Sequence, residues 1–265
     1  MHNKRYYMFW IKLLVCLLAG VGAGLGTGFA GMSAAVVITP LLVTFLHVPA
    51  YTAVGIALCS DVFASLVSAY TYKKNGNLDI KNGLTMMATI IVFTAFGSYV
   101  SSLIPHSTLE SFSIIVTLVM GCKFIIAPIV KSHEQMKEMS PLERTLKSVA
   151  CGCVIGFVCG FAGAGGGIMM LMALTLILGY ELKTAVGTSV FIMSFTALTG
   201  GMSHFIMGDW PDPLILTFCV VFTFGFAQLG AVIANKVKPV TLNRITGIIL
   251  VILAITVILV EYIRL

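Results

Sequence analysis

The chain has 265 residues, 58% of them hydrophobic and only 10% charged, with a mean hydropathy of +1.04. A soluble domain carries about 25% charged residues, so this composition excludes one and defines an integral membrane protein. The formal net charge of +6 is loop charge that biases orientation in a bilayer, and no basic run is dense enough for a nucleic-acid surface.

Met1–Tyr7, with Lys4 and Arg5, has the charged start of a signal peptide. The apolar run from Met8 passes Gly31 without a small-x-small cleavage site, however, and reads as a retained helix. A membrane helix needs about 20 apolar residues. The first half offers five segments, Trp10–Gly31, Ala34–His47, Tyr51–Tyr72, Gly83–Ile104 and Leu109–Val130. A polar stretch follows, and the second half offers five more: Thr145–Gly163, Ile168–Gly179, Thr184–Met207, Pro213–Asn235 and Leu242–Ile263. The second member of each set is too short to cross comfortably. It is a half-helix, a tilted span or a re-entrant limb. All seven cysteines fall inside apolar segments, where cysteine packs as a small hydrophobe.

Positions 132 apart match without a gap: Gly20, Gly24 and Gly28 with Gly152, Gly156 and Gly160, and Thr52–Gly55 with Thr184–Gly187. The expected fold is therefore an all-α polytopic membrane protein of two homologous five-segment repeats, with 8–10 transmembrane helices. Residues 1–131 form the first repeat, 132–144 a linker and 145–265 the second repeat. Counting loop charges gives eleven basic residues on one side against four on the other, whether or not the short segments cross. An inverted arrangement is preferred because the loop after the third segment is basic in one half (Lys73, Lys74, Lys81) and acidic in the other (Asp209, Asp212). It predicts the N-terminus and Lys73 on opposite sides. Glycine-broken helices at matching places in two halves point to a transporter's binding site.

The glycine ladders put small residues on one helix face, which lets backbones approach closely. The run Gly160–Gly167 is different, with glycine at five of its positions besides Phe161, Ala162 and Ala164. Each glycine in a helix interior costs about 1 kcal/mol relative to alanine, so the backbone is expected to unwind there. Unwound backbone at membrane depth lines a cavity or is buried in protein, and the next helix starts with free amides suited to an anion. Candidate substrate residues are Gly28, Gly31 and Ser33 at the first break and Gly163, Gly165, Gly166 and Gly167 at the second. Gly187, Thr188 and Ser189, at the expected start of the eighth segment, join them as small hydroxyl donors. Bonding of those hydroxyls back to their own helix stays open. Asp61 lies deep in the third segment, where an ionisable group is a functional hypothesis by default. It is a candidate for proton coupling or for a helix-bridging carboxyl, and its mate 132 positions on is Met193.

With Gly163-Ala164-Gly165-Gly166-Gly167 followed by Ala185-Val186-Gly187-Thr188-Ser189, the chain resembles the sulfite exporter TauE/SafE family of membrane permeases, from about Leu13 to Ile258. The first half keeps Pro40 but lacks the glycine run and the Thr-Ser pair. The second keeps both and has Met172 where the proline would stand. The resemblance implies export of sulfite, sulfoacetate or related small organic anions across the cytoplasmic membrane by a multi-pass protein. No nucleotide-binding motif is present, so the driving force is an ion gradient, the membrane potential or the substrate's own gradient. Two alternatives stay beside the secondary transporter. One is a passive anion channel. The other is an intramembrane hydrolase with Ser33 as nucleophile and His204 as base. No catalytic residue, metal or cofactor is expected. The expected partners are a lipid bilayer and a small anion, with a homodimer left open and no nucleic acid.

Overall fold

A computed structural model describes residues 2–101, 139–162, 166–207 and 210–264, with scattered positions between 118 and 128. Most of these residues are helical, with no strand among them. In chain order the helices are α1 (His2–Ala30), α2 (Ala35–Leu46), α3 (Ala50–Lys74), α4 (Ile80–Ser101), α5 (Pro141–Ala162), α6 (Gly166–Met172), α7 (Leu182–Met207), α8 (Pro213–Lys236) and α9 (Pro239–Arg264). A π-helical turn, Ala173–Ile177, continues α6. Five of these, α1, α3, α4, α7 and α8, are long and apolar enough to cross a membrane. Most of the expected segment Leu109–Val130, and the linker up to residue 138, lie outside the described residues.

Several helices start earlier than apolarity alone suggests. Residues 141–144, expected in the linker, are the first turn of α5. Pro141 sits at its start, where its fixed φ and missing amide suit a helix, and the Glu143 amide donates to Ser140 Oγ. At the second glycine run the expected unwinding does not reach Gly166 and Gly167, which are helical within α6. The eighth segment begins at Leu182, so Thr188 and Ser189 lie in its second turn and not at its start.

The ladders are contact surfaces. Gly20 lies against Phe222 and Thr223, Gly24 against Thr223 and Ala227, and Gly28 against Ala227 and Ala231. The residue numbers rise together, so α1 and α8 run parallel. Gly152 against Met86 and Thr89, and Gly156 against Ile90 and Phe93, pair α4 with α5 in the same parallel sense. α3 and α7 instead run antiparallel, with Tyr72 beside Gly187 and Leu58 beside Gly200. The buried core sits where α3 packs on α7 and α8, with α1 and α2 alongside.

The ends of the helices sort into two groups. The N-terminal part of α1 meets the start of α8, where Lys12 pairs with Asp212. At the other end, the Asn77 side chain after α3 donates to Asn235 Oδ1 of α8 (2.7 Å), and Lys183 at the start of α7 donates to the Asn235 carbonyl (2.9 Å).

Candidate functional site

The first break is set by Gly31. It adopts a φ of +61°, a left-handed conformation open to glycine and the usual end of a helix. Its amide still donates to the Thr27 carbonyl (2.9 Å), and the Met32 amide reaches back to Gly26 (3.3 Å). The Thr27 hydroxyl lies 2.9 Å from both the Ala23 and Met32 carbonyls and can give its proton to either. Ser33 Oγ then accepts from the Ala35 amide (3.3 Å) at the opening of α2. Irregular backbone of this kind survives at membrane depth because protein surrounds it: Met32 and Ala34 are buried, and Ser33 is 6% exposed.

Gly167 of α6 is packed directly against this break. A Cβ on Gly167 would lie 2.2 Å from the Gly31 carbonyl oxygen and 3.1 Å from both the Ser33 amide nitrogen and Met193 Sδ. A Cβ on Gly31 would lie 2.2 Å from Ser189 Oγ. Glycine at each position is thus what lets the start of α6, the end of α1 and the second turn of α7 touch.

Asp61 approaches this junction from the middle of α3. It lies eleven residues from Ala50 and thirteen from Lys74, roughly 16 and 20 Å along the helix at about 1.5 Å per residue. The side chain is fully buried, and its carboxylate faces the Ser33 hydroxyl, the Ala34 amide and the Ser65 hydroxyl. Neither oxygen reaches any of them in hydrogen-bond geometry.

The sequence candidates therefore fall into three groups. Gly31, Ser33, Gly167, Ser189 and Asp61 converge. Gly28 and Gly187 lie on two sides of Tyr72, whose hydroxyl donates to the Gly28 carbonyl (2.9 Å) and whose Cβ presses on Gly187. Thr188 and Gly166 face elsewhere: Thr188 Oγ1 accepts from the Asp79 amide (3.2 Å), and Gly166 lies against Cys159 Sγ. The Ser189 hydroxyl donates back to the Val186 carbonyl (2.9 Å), the local bond that stayed open from sequence. Gly163 and Gly165 lie outside the described residues, and His204 is described in its backbone alone. No cluster of metal-binding side chains occurs among the described residues.

A polar network that the sequence reading passed over covers the junction on the Lys73 side. Tyr180 donates to Asp79 Oδ2 (2.7 Å), and Asn82 donates to the same carboxylate from its side chain (2.6 Å) and its amide (3.1 Å). Together with Thr188, Asn77, Lys183 and Asn235, these bonds tie the α3–α4 connection to α7 and α8. Asp79 and Tyr180 stand just outside apolar segments, where sequence gives them no more weight than any interfacial polar residue.

The fold and this junction define a polytopic helical membrane protein in which the break at Gly31 packs against Gly167 of α6 inside the bundle. The comparisons make the class specific. The model of the sulfite exporter TauE/SafE family matches residues 16–257, and the chain belongs to that family. The "Probable membrane transporter protein YunE" of Bacillus subtilis is 30% identical over 261 residues, covering 92% of this chain and 95% of its own. A second B. subtilis relative, "Probable membrane transporter protein YdhB", is 27% identical and covers 87% and 92%. A "Probable membrane transporter protein" of Haemophilus influenzae is 28% identical, covering 92% and 97%. Membrane transport is thus the activity that the family and these relatives carry.

Proposed function

We propose that this protein is a secondary transporter that exports a small anion, of the class of sulfite, sulfoacetate or another organosulfonate, across the cytoplasmic membrane. Access to the site alternates as one half of the chain moves against the other around the paired glycine breaks. The observation that carries the reading is the direct contact of the two breaks, Gly167 on the Gly31 carbonyl and Ser33 amide, within a family of transporters.

Inverted repeats are supported by the offsets and directions of the helices. The starts of α3 and α7, at Ala50 and Leu182, differ by 132 positions. The mates α3 and α7 run in opposite directions. The same arrangement carries the start of α1 and the Lys73 end of α3 to opposite faces, and the positive-inside rule makes the Lys73, Lys74, Lys183 and Lys236 face cytoplasmic. The Asp79–Tyr180 network then closes the cytoplasmic entrance.

In this reading the backbone at Gly31, Gly163, Gly165, Gly166 and Gly167 admits the anion. Ser33 supplies a hydroxyl donor that adds no fixed charge, and Ser189 lines the junction beside Gly31 with its own proton on the Val186 carbonyl. Gly28, Gly187 and Thr188 hold the surrounding helices, and Asp61 carries a proton. Flux into proteoliposomes, measured with sulfite, thiosulfate, sulfoacetate and taurine, tests the reading. Saturable flux of at least one anion is expected. Flux that rises linearly with concentration marks a passive channel, and absence of both flux and binding overturns the transporter.

A further inference from the structure

A helix that begins inside a membrane leaves its first amides without intrahelical acceptors, and they must find partners in the protein or in a ligand. α2 begins in this way, after the Gly31 break, and runs for 12 residues. Its positive end draws negative charge. The Ser33 hydroxyl serves the Ala35 amide, and the Ser33 and Ala34 carbonyls take the Val36 and Val37 amides (3.3 and 3.1 Å). No side chain caps the helix at Ala34, which leaves the Ala34 amide and the end of the helix dipole for an outside group. The group that does approach is Asp61, whose carboxylate faces Ser33, the Ala34 amide and Ser65.

Asp61 is also the odd group in this junction. It is fully buried, and both its oxygens lack a hydrogen-bond partner. Ser65 and Ser68, four and seven residues further along α3, share its face, are fully buried, and have hydroxyls that are likewise unpartnered. Among the described residues no charged side chain of α1, α2, α7 or α8 faces the carboxylate. A buried carboxylate needs compensation, and the positive end of α2 supplies it.

From this geometry we infer that the start of α2 is an anion seat for which the Asp61 carboxylate and the transported anion compete, so that the anion enters only as Asp61 takes up a proton. The inference rests on the transporter reading above. While Asp61 is ionised, its charge answers the positive end of α2, covers Ser33 and the Ala34 amide, and repels a second anion. Uptake of one proton from the open aqueous side onto one carboxylate oxygen cancels that charge and turns an acceptor into an O–H donor. The Ser33 hydroxyl and the Ala34 amide are then free to face the anion, and the new acid donates to Ser65 or to the anion itself. Loss of the proton on the opposite side restores the carboxylate, which expels the anion. One proton crosses with each anion, so a monoanion moves with no net charge and a dianion such as sulfoacetate with one negative charge. Direction follows the combined proton and anion gradients and, for the dianion, the membrane potential. A cell that accumulates the anion exports it as its acid. Met193, at the matching place beside Gly167, has no charge to compete with, so the proton requirement belongs to the first break.

Equilibrium binding of methanesulfonate and of sulfoacetate to the full-length protein in nanodiscs, between about pH 5.5 and 8.5, tests this because both probes keep a constant charge there. Once Asp61 ionises, wild-type affinity should fall about tenfold per pH unit, the slope of one linked proton. Asp61→Asn, neutral at every pH, should bind with a flat profile. Asp61→Met, the residue found at position 193, is the second variant should the amide misfold. If wild type binds with a flat profile, or the neutral variants keep its slope, the competition is overturned while anion binding stands. If a folded Asp61→Asn and Asp61→Met bind at no pH, the carboxylate is required and the competition is likewise overturned. If the wild type binds neither sulfonate, the anion-transport reading falls with it.

Discussion

Gly167→Ala probes the contact on which the site depends. Gly167 is in the first turn of α6, so local backbone preference favours the change, by at most about 1 kcal/mol. The new methyl would stand 2.2 Å from the Gly31 carbonyl oxygen and 3.1 Å from the Ser33 amide nitrogen. The first distance is more than about 1 Å inside van der Waals contact. The group it meets is backbone, which cannot rotate away, so the two breaks must separate. Overpacking of this kind costs about 1–3 kcal/mol, which the propensity gain partly offsets. The net loss of stability should therefore lie between near zero and about 3 kcal/mol, and the protein should still fold. Function is the more sensitive measure, because binding sites depend on placement to within about 0.5 Å. Sulfite or sulfoacetate flux into proteoliposomes should fall at least about tenfold, with a modest drop in thermal midpoint. Wild-type flux together with wild-type stability would refute the contact between the breaks.

Gly225→Ala is the matched control: it lies inside α8 with no atom within 4 Å of the added methyl. Thermal unfolding in detergent should show a gain of about 0.5–1 kcal/mol. Tyr180→Phe removes one of the donors to Asp79 and should cost about 1–2 kcal/mol. It should also raise thiol labelling of cysteines placed near the junction from the Lys73 side, and unchanged labelling would exclude a gating role for the network. Asp212 caps α8 by accepting from the Leu214 amide (2.9 Å), so Asp212→Ala should lower stability by about 0.5–2 kcal/mol. The Lys12 ammonium holds the Asp212 carboxyl below its ordinary range. Its contribution is therefore complete above the usual carboxylate range and lost as pH falls through the depressed value. The difference in thermal midpoint between wild type and Asp212→Ala should persist at neutral pH and close in acid.

Glycine placement made much of the site legible. The break at Gly31 could be read as an interruption of an apolar run, because glycine within a membrane helix is costly enough to need a reason. Gly166 and Gly167, read by the same argument as unwound, are instead helical. The ladders were equally readable, and Gly20, Gly24 and Gly28 do bring α1 onto α8. Which helix each ladder would meet was not readable, since a small-residue face specifies closeness and not partner. Thr188 and Ser189 show the same limit. Their composition marks a hydroxyl pair, but their use depends on where α7 begins. Leu182 starts the helix two residues early, and within it Ser189 is bonded to its own backbone and Thr188 is turned to Asp79. The Asp79–Tyr180–Asn82 cluster had no pattern to betray it, because it is built across 101 positions of chain by the packing of α4 beside α7.

The pairing of α1 with α8, and of α4 with α5, crosses the middle of the chain, and it sets a schedule for biogenesis. α1 is made well before its cover, since the surface against Gly20, Gly24 and Gly28 lies about 200 residues further along the chain. At roughly 5–20 residues per second, that surface emerges some 10–40 s after α1 has entered the bilayer. During that interval the ladder has lipid or an insertion chaperone for company. Neither half contains the partner of its own first helix, so a ribosome that stops between them leaves a product with an uncovered glycine face, marked for quality control.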